Sequence, residues 1–188
     1  MKSILPAIAI ATGGLMGLAS FGANAADGTI TFTGTVSDTT CSINGTTSGS
    51  PANLAVTLPT VSAGSLAAQG AVAGTSSPTD MTLALSGCSG AATKAIAMFE
   101  NGPTVDQSTG YLTNQAASGQ ASNVEVRLLN ASLQPINITT GLNNDIAGNG
   151  ATISGGSANM KYFAQYYATG KATPGAVSTS VQYTMQYQ

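Results

Sequence analysis

The sequence predicts an all-β fold, an antiparallel sandwich of immunoglobulin type, on three observations. Apolar residues recur at every second position in short runs, which is the period of half-buried strands. Turn-forming pairs such as Asn44-Gly45 and Gly155-Gly156 bound these runs. No long stretch has helical spacing, and residues 62–70 are expected to form one or two helical turns at most. Six or more short strands of this kind are typical of a sandwich. The internal runs are Leu54, Val56 and Leu58; Met81, Leu83 and Leu85; Ile96 and Met98; and Val124, Val126 and Leu128.

The N-terminus has the layout of a secretory signal peptide. Lys2 precedes an apolar run over residues 4–18, and the small-residue tripeptide Ala23-Asn24-Ala25 follows. We place cleavage after Ala25, so residues 1–25 are the signal peptide. The run is shorter than the roughly 20 residues of a membrane span, and no membrane span is expected in the mature chain.

The two ends of the mature chain are both strand-like. Residues 26–36, called here the leader segment, place Gly28, Ile30, Phe32, Gly34 and Val36 on one face and threonines on the other. No partner strand lies nearby in sequence. The last run, over residues 181–188, continues to the final residue, so no further strand follows to cover its edge. An apolar edge strand is prone to aggregation unless something pairs with it.

The two cysteines, Cys41 and Cys88, both lie in the exported part of the chain. An oxidising compartment makes pairing the default, so we expect one disulfide. Closing a loop of this length with a disulfide stabilises the folded state by roughly 4 kcal/mol on the chain-entropy model. A zinc site is not expected, because there is no histidine and two thiols do not complete a zinc shell.

Charge and composition argue against several functions. Four basic residues remain after cleavage against seven acidic ones, so no basic patch is available and nucleic acid is not an expected partner. Without histidine, acid–base chemistry would need carboxylates or lysines, and these show no recognisable arrangement. We therefore expect no catalytic residues, no metal and no cofactor, and the chain is not expected to be an enzyme.

Several longer segments resemble the major subunits of type 1 fimbriae, the pilins that Gram-negative bacteria build by the chaperone–usher route. The segments are Gly28-Thr-Ile-Thr-Phe-Thr-Gly-Thr-Val36, Leu85-Ser-Gly-Cys88, the run over residues 121–129, the aromatic segment over residues 162–175, and the C-terminal run with a tyrosine next to last. They span nearly the whole mature sequence. The chain departs from the family pattern in residues 42–87, which are longer and richer in Gly and Ser, and in residues 139–158.

The resemblance implies an incomplete immunoglobulin-like sandwich that is completed by donor-strand exchange. It divides the chain into a signal peptide (1–25), an N-terminal donor-strand extension (26–36) and a pilin domain (37–188). The expected donor residues are Gly28, Ile30, Phe32 and Gly34. The groove that accepts them, first filled by a chaperone strand, is expected to lie between the strand of Cys41 and the C-terminal strand with Val181, Tyr183, Met185, Tyr187 and Gln188.

The resemblance also implies partners and a location. The chain is expected to be a structural subunit that polymerises head to tail, exported through the periplasm to a cell-surface fimbrium that supports adhesion. Its partners would be other copies of itself, a periplasmic chaperone, an outer-membrane usher and minor fimbrial subunits. The alternative is a minor fimbrial subunit or an adhesin that binds a host carbohydrate.

Three groups of residues allow more than one interpretation. Taken without the resemblance, the leader segment is more typical of an ordinary first strand than of a donated one, and the resemblance reverses this preference. Val36 fits either the leader or the domain. The aromatic residues Tyr162, Phe163, Tyr166 and Tyr167 could form a sugar-stacking platform, but aromatic residues on both faces of a central strand are more typical of core on one side and a packing contact on the other. Glu125 and Arg127 share a strand face and are interpreted as a solvated or subunit-facing ion pair of little energetic value.

Overall fold

The computed structural model describes residues 28–34, 36 and 38–188. Over those residues the chain forms eleven β-strands, a 3₁₀ turn and a short α-helix, and every pair of neighbouring strands is antiparallel. The all-β prediction is therefore confirmed. The strands are β1 (Thr40–Ile43), β2 (Val72–Ala73), β3 (Thr82–Ser89), β4 (Lys94–Phe99), β5 (Leu112–Thr113), β6 (Val124–Leu129), β7 (Pro135–Ile136), β8 (Ala151–Thr152), β9 (Ala158–Lys161), β10 (Phe163–Ala168) and β11 (Tyr183–Tyr187); the 3₁₀ turn is Ala63–Leu66 and α1 is Ile146–Asn149.

The strands form three sheets. The first has the order β1-β3-β9, the second β2-β10-β6-β5 with β7 also paired to β6, and the third β11-β4-β8. Only Tyr162 separates β9 from β10, so this stretch of chain passes from the first sheet to the second. In the third sheet β4 is the one strand among the described residues that pairs with β11, which makes β11 an edge strand.

The main hydrophobic core is built from alternate residues of all three sheets. Leu83 and Leu85 of β3 pack with Val126 and Leu128 of β6, as the period-two pattern predicts. Tyr162 packs edge-on against Phe99 with 5.1 Å between ring centroids, and its hydroxyl accepts a hydrogen bond from the Ala97 amide at 3.1 Å. This tyrosine is therefore a core residue with its polar group satisfied, and not part of a sugar platform.

Two of the predicted turns close hairpins as their residue types require. Asn44 and Gly45 both have positive φ, and Ile43 and Thr46 exchange two backbone hydrogen bonds across them. This is the two-residue hairpin that an Asn-Gly pair favours. Gly155 and Gly156 also have positive φ, inside a hairpin closed by reciprocal bonds between Ser154 and Ser157.

Gly87 has a different role from the one its sequence context indicates. The pair Ser86-Gly87 has turn chemistry, yet both residues lie inside β3. The register between β1 and β3 shifts there, since Thr40 faces Ser89 while Ser42 faces Ser86. Gly87 adopts φ +58° at this β-bulge, a conformation that costs a side-chain-bearing residue energy.

The structure differs from the sequence-based predictions in three details. In β4 the residues that join the main core are Ala95, Ala97 and Phe99, while Ile96, which belongs to the predicted alternating pair, is buried on the opposite face. Residues 51–60 carry the predicted Leu54, Val56 and Leu58 alternation but pair with no strand among the described residues. Glu125 is not an exposed ion pair with Arg127: it is 5% exposed and accepts a bond from Thr109.

Among the residues described, no helix has the length and apolar character needed to cross a membrane. Residues 28–34 have no regular secondary structure, and the side chains of Ile30 and Phe32 are 80% and 89% exposed. The predicted signal peptide, residues 1–25, lies outside the described residues.

Candidate assembly groove

A long groove of about 960 Å³ opens onto the main core beside the edge strand β11. Two extended segments form its sides, and we call residues 177–185 the first wall and residues 50–58 the second wall. The base between them is apolar. It is formed by residues of five strands and by one residue that precedes β3: Met81, Leu83, Phe99, Leu112, Val126, Leu128, Ala164 and Tyr166.

The first wall has a free backbone edge. Gln188 exchanges both backbone hydrogen bonds with Lys94, and Gln182 accepts one from the Glu100 amide. In an antiparallel ladder only alternate residues bond to a given neighbour, so the even-numbered residues of β11 bond to β4. The backbone N–H and C=O groups of Val181, Tyr183, Met185 and Tyr187 therefore point to the open side.

The same odd-numbered residues direct their side chains inward. Val181, Tyr183, Met185 and Tyr187 are half-buried and pack against the main core, while Gln182, Thr184 and Gln186 are exposed. Burial raises the pKa of Tyr183 and of Tyr187, so both phenols are neutral at physiological pH. The edge thus offers an apolar row of side chains and a row of available backbone groups to one incoming strand.

The second wall is extended and apolar on its groove side. Leu54, Val56 and Leu58 are half-buried against the core and alternate with exposed residues. Within the described part of the chain, residues 53–60 form no hydrogen bond to another backbone group. One bond joins the walls: the Tyr183 hydroxyl donates to the Ala52 carbonyl at 2.7 Å.

The gap between the walls is therefore suited to one further β-strand. Both of its borders have a period-two apolar pattern, and neither is paired on its groove side among the residues described. An extended segment with alternating side chains would extend the β11 ladder and place one face on the exposed core. A rounded small molecule would leave most of these backbone groups without partners.

The structure brings some of the sequence-predicted acceptor residues together. Val181, Tyr183 and Met185 line the groove. Tyr187 and Gln188 continue the same strand beyond it, where the Gln188 carbonyl accepts bonds from the amides of Thr93 and Lys94. The Cys41 strand does not form the opposite border: Ile43 lines one end, and the second wall takes that place.

The second wall is the part of the groove that the sequence analysis did not predict. Its alternation predicted a strand, and the absence of any charge over residues 50–58 was visible in the sequence. What distinguishes it from an ordinary strand is visible only in the tertiary structure: among the described residues, no strand pairs with it.

A disulfide joins Cys41 of β1 to Cys88 of β3, as predicted. The two residues are 47 apart in sequence, and Cys88 lies directly after the bulge at Gly87. Cys41 is buried in the main core. The disulfide therefore links β1 covalently to β3, the strand that contributes Leu83 and Leu85 to the main core.

The outward face of the sheet behind the groove contains a buried carboxyl. The Glu125 carboxylate accepts from the Thr109 hydroxyl at 2.9 Å, and the negative charge of Asp106 lies close by. Burial is the main cause that raises the pKa of Glu125, and Asp106 adds to it. Hydrogen bonds from the side chain and amide of Ser108 lower the pKa of Asp106. Arg127 instead donates to Gln165 through two nitrogens.

No cluster of three or more His, Cys, Asp or Glu side chains that could hold a metal occurs in residues 28–34, 36 and 38–188. The groove described above has an apolar base, and its walls contribute polar groups as well as apolar side chains. Fold and groove together define a class: a β-sandwich domain with one open strand edge above an uncovered part of its core.

Comparison with known proteins identifies the family. The sequence profile of the Fimbrial protein family matches residues 30–188. The chain is 44% identical to the major fimbrial subunit SMF-1 of Stenotrophomonas maltophilia over 176 residues, which cover 92% of this chain and 99% of that one. It is also 44% identical over 183 residues to the F17 fimbrial protein of Escherichia coli, covering 93% and 96%.

Solved structures support the fold. A chaperone–usher pilus structure matches with a TM-score of 0.56 at 22% identity, over 87% of this chain and 96% of that one. A type I fimbria protein of Burkholderia pseudomallei matches with a TM-score of 0.51 at 21% identity, over 81% and 97%. The chain belongs to the fimbrial protein family, the structural subunits of cell-surface fimbriae.

Proposed function

We propose that the chain is a rod-forming fimbrial subunit that polymerises head to tail, each copy donating its leader segment to the open groove of the next. The open groove with an unpaired edge strand carries this proposal. Donor and acceptor surfaces differ, so the contact is heterologous and generates a filament and not a closed dimer. The donated residues are Gly28, Ile30, Phe32 and Gly34.

The physical chemistry of the leader segment supports this role. Ile30 and Phe32 alternate with threonines, and their side chains are largely exposed. Burying each of these two side chains is worth about 1.5–3 kcal/mol. Backbone bonds to the odd-numbered residues of β11 add roughly 1 kcal/mol each. Dissociation would expose the neighbour's core, so the joint should be long-lived.

A subunit with an open core needs protection before it assembles. We infer that a periplasmic chaperone first covers the groove along β11 and that exchange for the leader takes place at an outer-membrane usher. Minor fimbrial subunits would complete the fimbria. A structural role and no catalysis is what we propose for the chain itself, since its sequence contains no histidine and its groove is lined mainly by apolar side chains.

A role as a major subunit is favoured over a minor one by the relatives. The two relatives at 44% identity include one named a major fimbrial subunit, whereas the minor subunit HifD of Haemophilus influenzae is 35% identical over 88% of this chain. The alternative of a carbohydrate-binding adhesin has no comparable support, because Tyr162 and Tyr166, two residues of the possible sugar platform, pack against or within the core.

The test is assembly with and without the leader. The mature chain and a form lacking residues 26–34 are each co-expressed with the cognate chaperone and usher, and surface extracts are run on denaturing gels without boiling. We expect ladders of oligomers from the intact chain and none from the shortened one. The matched pair Phe32→Ser and Thr31→Ser separates inward from outward positions, and only Phe32→Ser should weaken the ladders. Ladders that survive removal of residues 26–34 would refute strand donation.

A further inference from the structure

One inward position of the first wall has an unexpected residue. The inward-facing series of this wall is Val177, Thr179, Val181, Tyr183 and Met185. Thr179 interrupts an otherwise apolar row with a hydroxyl. Valine has nearly the same shape and would fit such a row without a polar group.

The Thr179 hydroxyl lacks a partner. Its Oγ1 is shielded from solvent and forms no hydrogen bond within the described part of the chain. The hydroxyl of Tyr183 on the same wall, by contrast, donates to the Ala52 carbonyl. A shielded hydroxyl without a hydrogen bond is destabilising, and such groups are rare in native proteins. The other shielded atom of this kind that the structure describes, Asn144 Oδ1, is not part of the groove.

The leader segment offers a partner in only some registers. Its inward residues are apolar or lack a side chain, so only its backbone can bond to the hydroxyl. A backbone approaches a wall closely where the strand has a glycine, because no Cβ intervenes. With Ile30 or Phe32 beside Thr179, a large apolar side chain would cover the hydroxyl and leave it unpaired.

The spacing of the glycines matches the wall. The four inward donor positions are glycine, large, large, glycine: Gly28, Ile30, Phe32 and Gly34. The four wall positions from the hydroxyl onward are Thr179, Val181, Tyr183 and Met185. Aligned with each other, they put a glycine beside Thr179 whether the donated strand runs parallel or antiparallel to β11.

We propose that Thr179 sets the register of the donated strand, by a hydrogen bond between its hydroxyl and the backbone at Gly28 or Gly34. This inference rests on the proposed strand donation. A period-two strand on an apolar surface can slip by two residues and still bury the same face. A single polar group in an apolar interface removes that ambiguity, as a lone polar residue does in coiled coils.

The proposed register makes a prediction that is independent of strand direction. With Ile30 and Phe32 beside Val181 and Tyr183, the outward residue Thr31 lies beside Gln182 in either orientation. Both of these side chains are exposed. Directly opposed residues on neighbouring strands come close enough for a disulfide. A slip of two residues would place Thr31 beside Thr184 or Ser180 instead.

The test is intersubunit cross-linking in assembled fimbriae. Each chain carries Thr31→Cys together with Gln182→Cys, Thr184→Cys or Ser180→Cys, and fimbriae are oxidised, boiled and run without reductant. We expect boil-resistant ladders from the Gln182→Cys pair in about tenfold excess over the other two pairs, the ratio that one hydrogen bond supplies. Adding Thr179→Val should reduce that excess to about twofold or less, and Thr179→Ser should preserve it.

The outcomes separate the two proposals. Equal cross-linking of all three pairs with Thr179 present, or an unchanged excess with Thr179→Val, would overturn the role of Thr179 while strand donation stands. Unboiled ladders with no cross-link from any pair would also overturn the register. If unboiled ladders are absent from the unsubstituted chain as well, strand donation itself fails. Should Thr179→Val not fold, the comparison among the three pairs with Thr179 or Ser at this position still decides.

Discussion

The side chain of Glu125 shows how strongly one environment changes a residue that the sequence presents as ordinary. The carboxyl is 5% exposed on β6, and across the strands it faces Tyr167 of β10 and Thr113 of β5. Its pKa is raised mainly by burial and further by the charge of Asp106. The folded state therefore holds the Glu125 proton more tightly than the unfolded chain does.

This linkage predicts how stability depends on pH. Because the folded pKa of Glu125 is raised, its stabilising contribution is complete below the unfolded pKa and is lost as pH rises through the folded value. Glu125→Gln keeps an acceptor for Thr109 without the charge. We expect it to raise the free energy of unfolding at pH 7 by on the order of 1 kcal/mol, and the gain should shrink toward pH 4.

The measurement is guanidinium unfolding at the two pH values. It uses a single-chain form in which a copy of residues 26–36 follows Gln188 through a short linker, so that the groove is filled. Glu100→Gln, at an exposed position, is the control and should change stability little at either pH. A Glu125→Gln protein less stable than the parent at pH 7 would contradict the buried-charge account.

At the residue level, period two predicted which side chains of β11 face inward, and the structure agrees for Tyr183 and Met185. It did not predict the surroundings of Glu125, since Thr109 and Asp106 lie in a loop 16 or more residues away in sequence. Likewise, Thr179 is one threonine among many in the sequence. Only its shielded, unpaired hydroxyl distinguishes it.

Among the elements, β1 and β3 are joined by a disulfide as well as by strand pairing. In the described part of the chain the four-residue strand β1 pairs with β3 and no other strand, through a ladder interrupted by the bulge at Gly87. The Cys41–Cys88 disulfide compensates for that short ladder by holding the strands together in the unfolded chain as well. The cysteines and their export were enough to predict this bond from sequence.

Replacing both cysteines by serine should lower the free energy of unfolding by about 4 kcal/mol, the value of the chain-entropy model for a loop of this length. The same single-chain form serves for the measurement. Reduction of the parent protein under denaturing conditions, followed by refolding with the thiols blocked, is the matched comparison and should give a similar loss. A loss below about 1 kcal/mol by both routes would show that β1 is held by its packing alone.

The elements that could be predicted are those whose partners are present in the chain. Alternation bounded by turn residues predicted strands β3, β6 and β11. In β3 and β11 burial alternates along the strand, whereas β6 is buried on both faces and its apolar residues mark the side of the main core. Residues 51–60 have the same pattern but no partner in the sheet. Strands β2, β5, β7 and β8 have two residues each, too few for a period to be detected.

At the scale of the whole molecule, the chain exposes two apolar surfaces. The leader segment carries large apolar side chains in water, and the sandwich leaves part of its core open between two walls. Head-to-tail strand donation would bury both of these surfaces in one contact. Assembly would then complete the fold, so the stability of a subunit and that of the fibre are one quantity.

The second wall gives a test of this coupling that the C-terminal strand cannot give, because β11 is also part of a sheet. Val56 is half-buried at the groove, whereas its neighbour Ala55 is exposed and does not line the groove. Val56→Ser removes apolar contact and adds a hydroxyl, at a cost of about 1–3 kcal/mol. Unboiled ladders of this variant should therefore dissociate at a lower temperature than those of the parent.

Ala55→Ser is the control and should leave the dissociation temperature unchanged. If Val56 served only the subunit's own core, Val56→Ser would reduce the yield of chaperone-bound subunit without shifting the dissociation temperature of the fibres that form. A shift in that temperature at normal subunit yield is expected only if a neighbour's strand packs on Val56. The temperature of ladder dissociation, read on gels after graded heating, thus reports whether the two walls close on a donated strand.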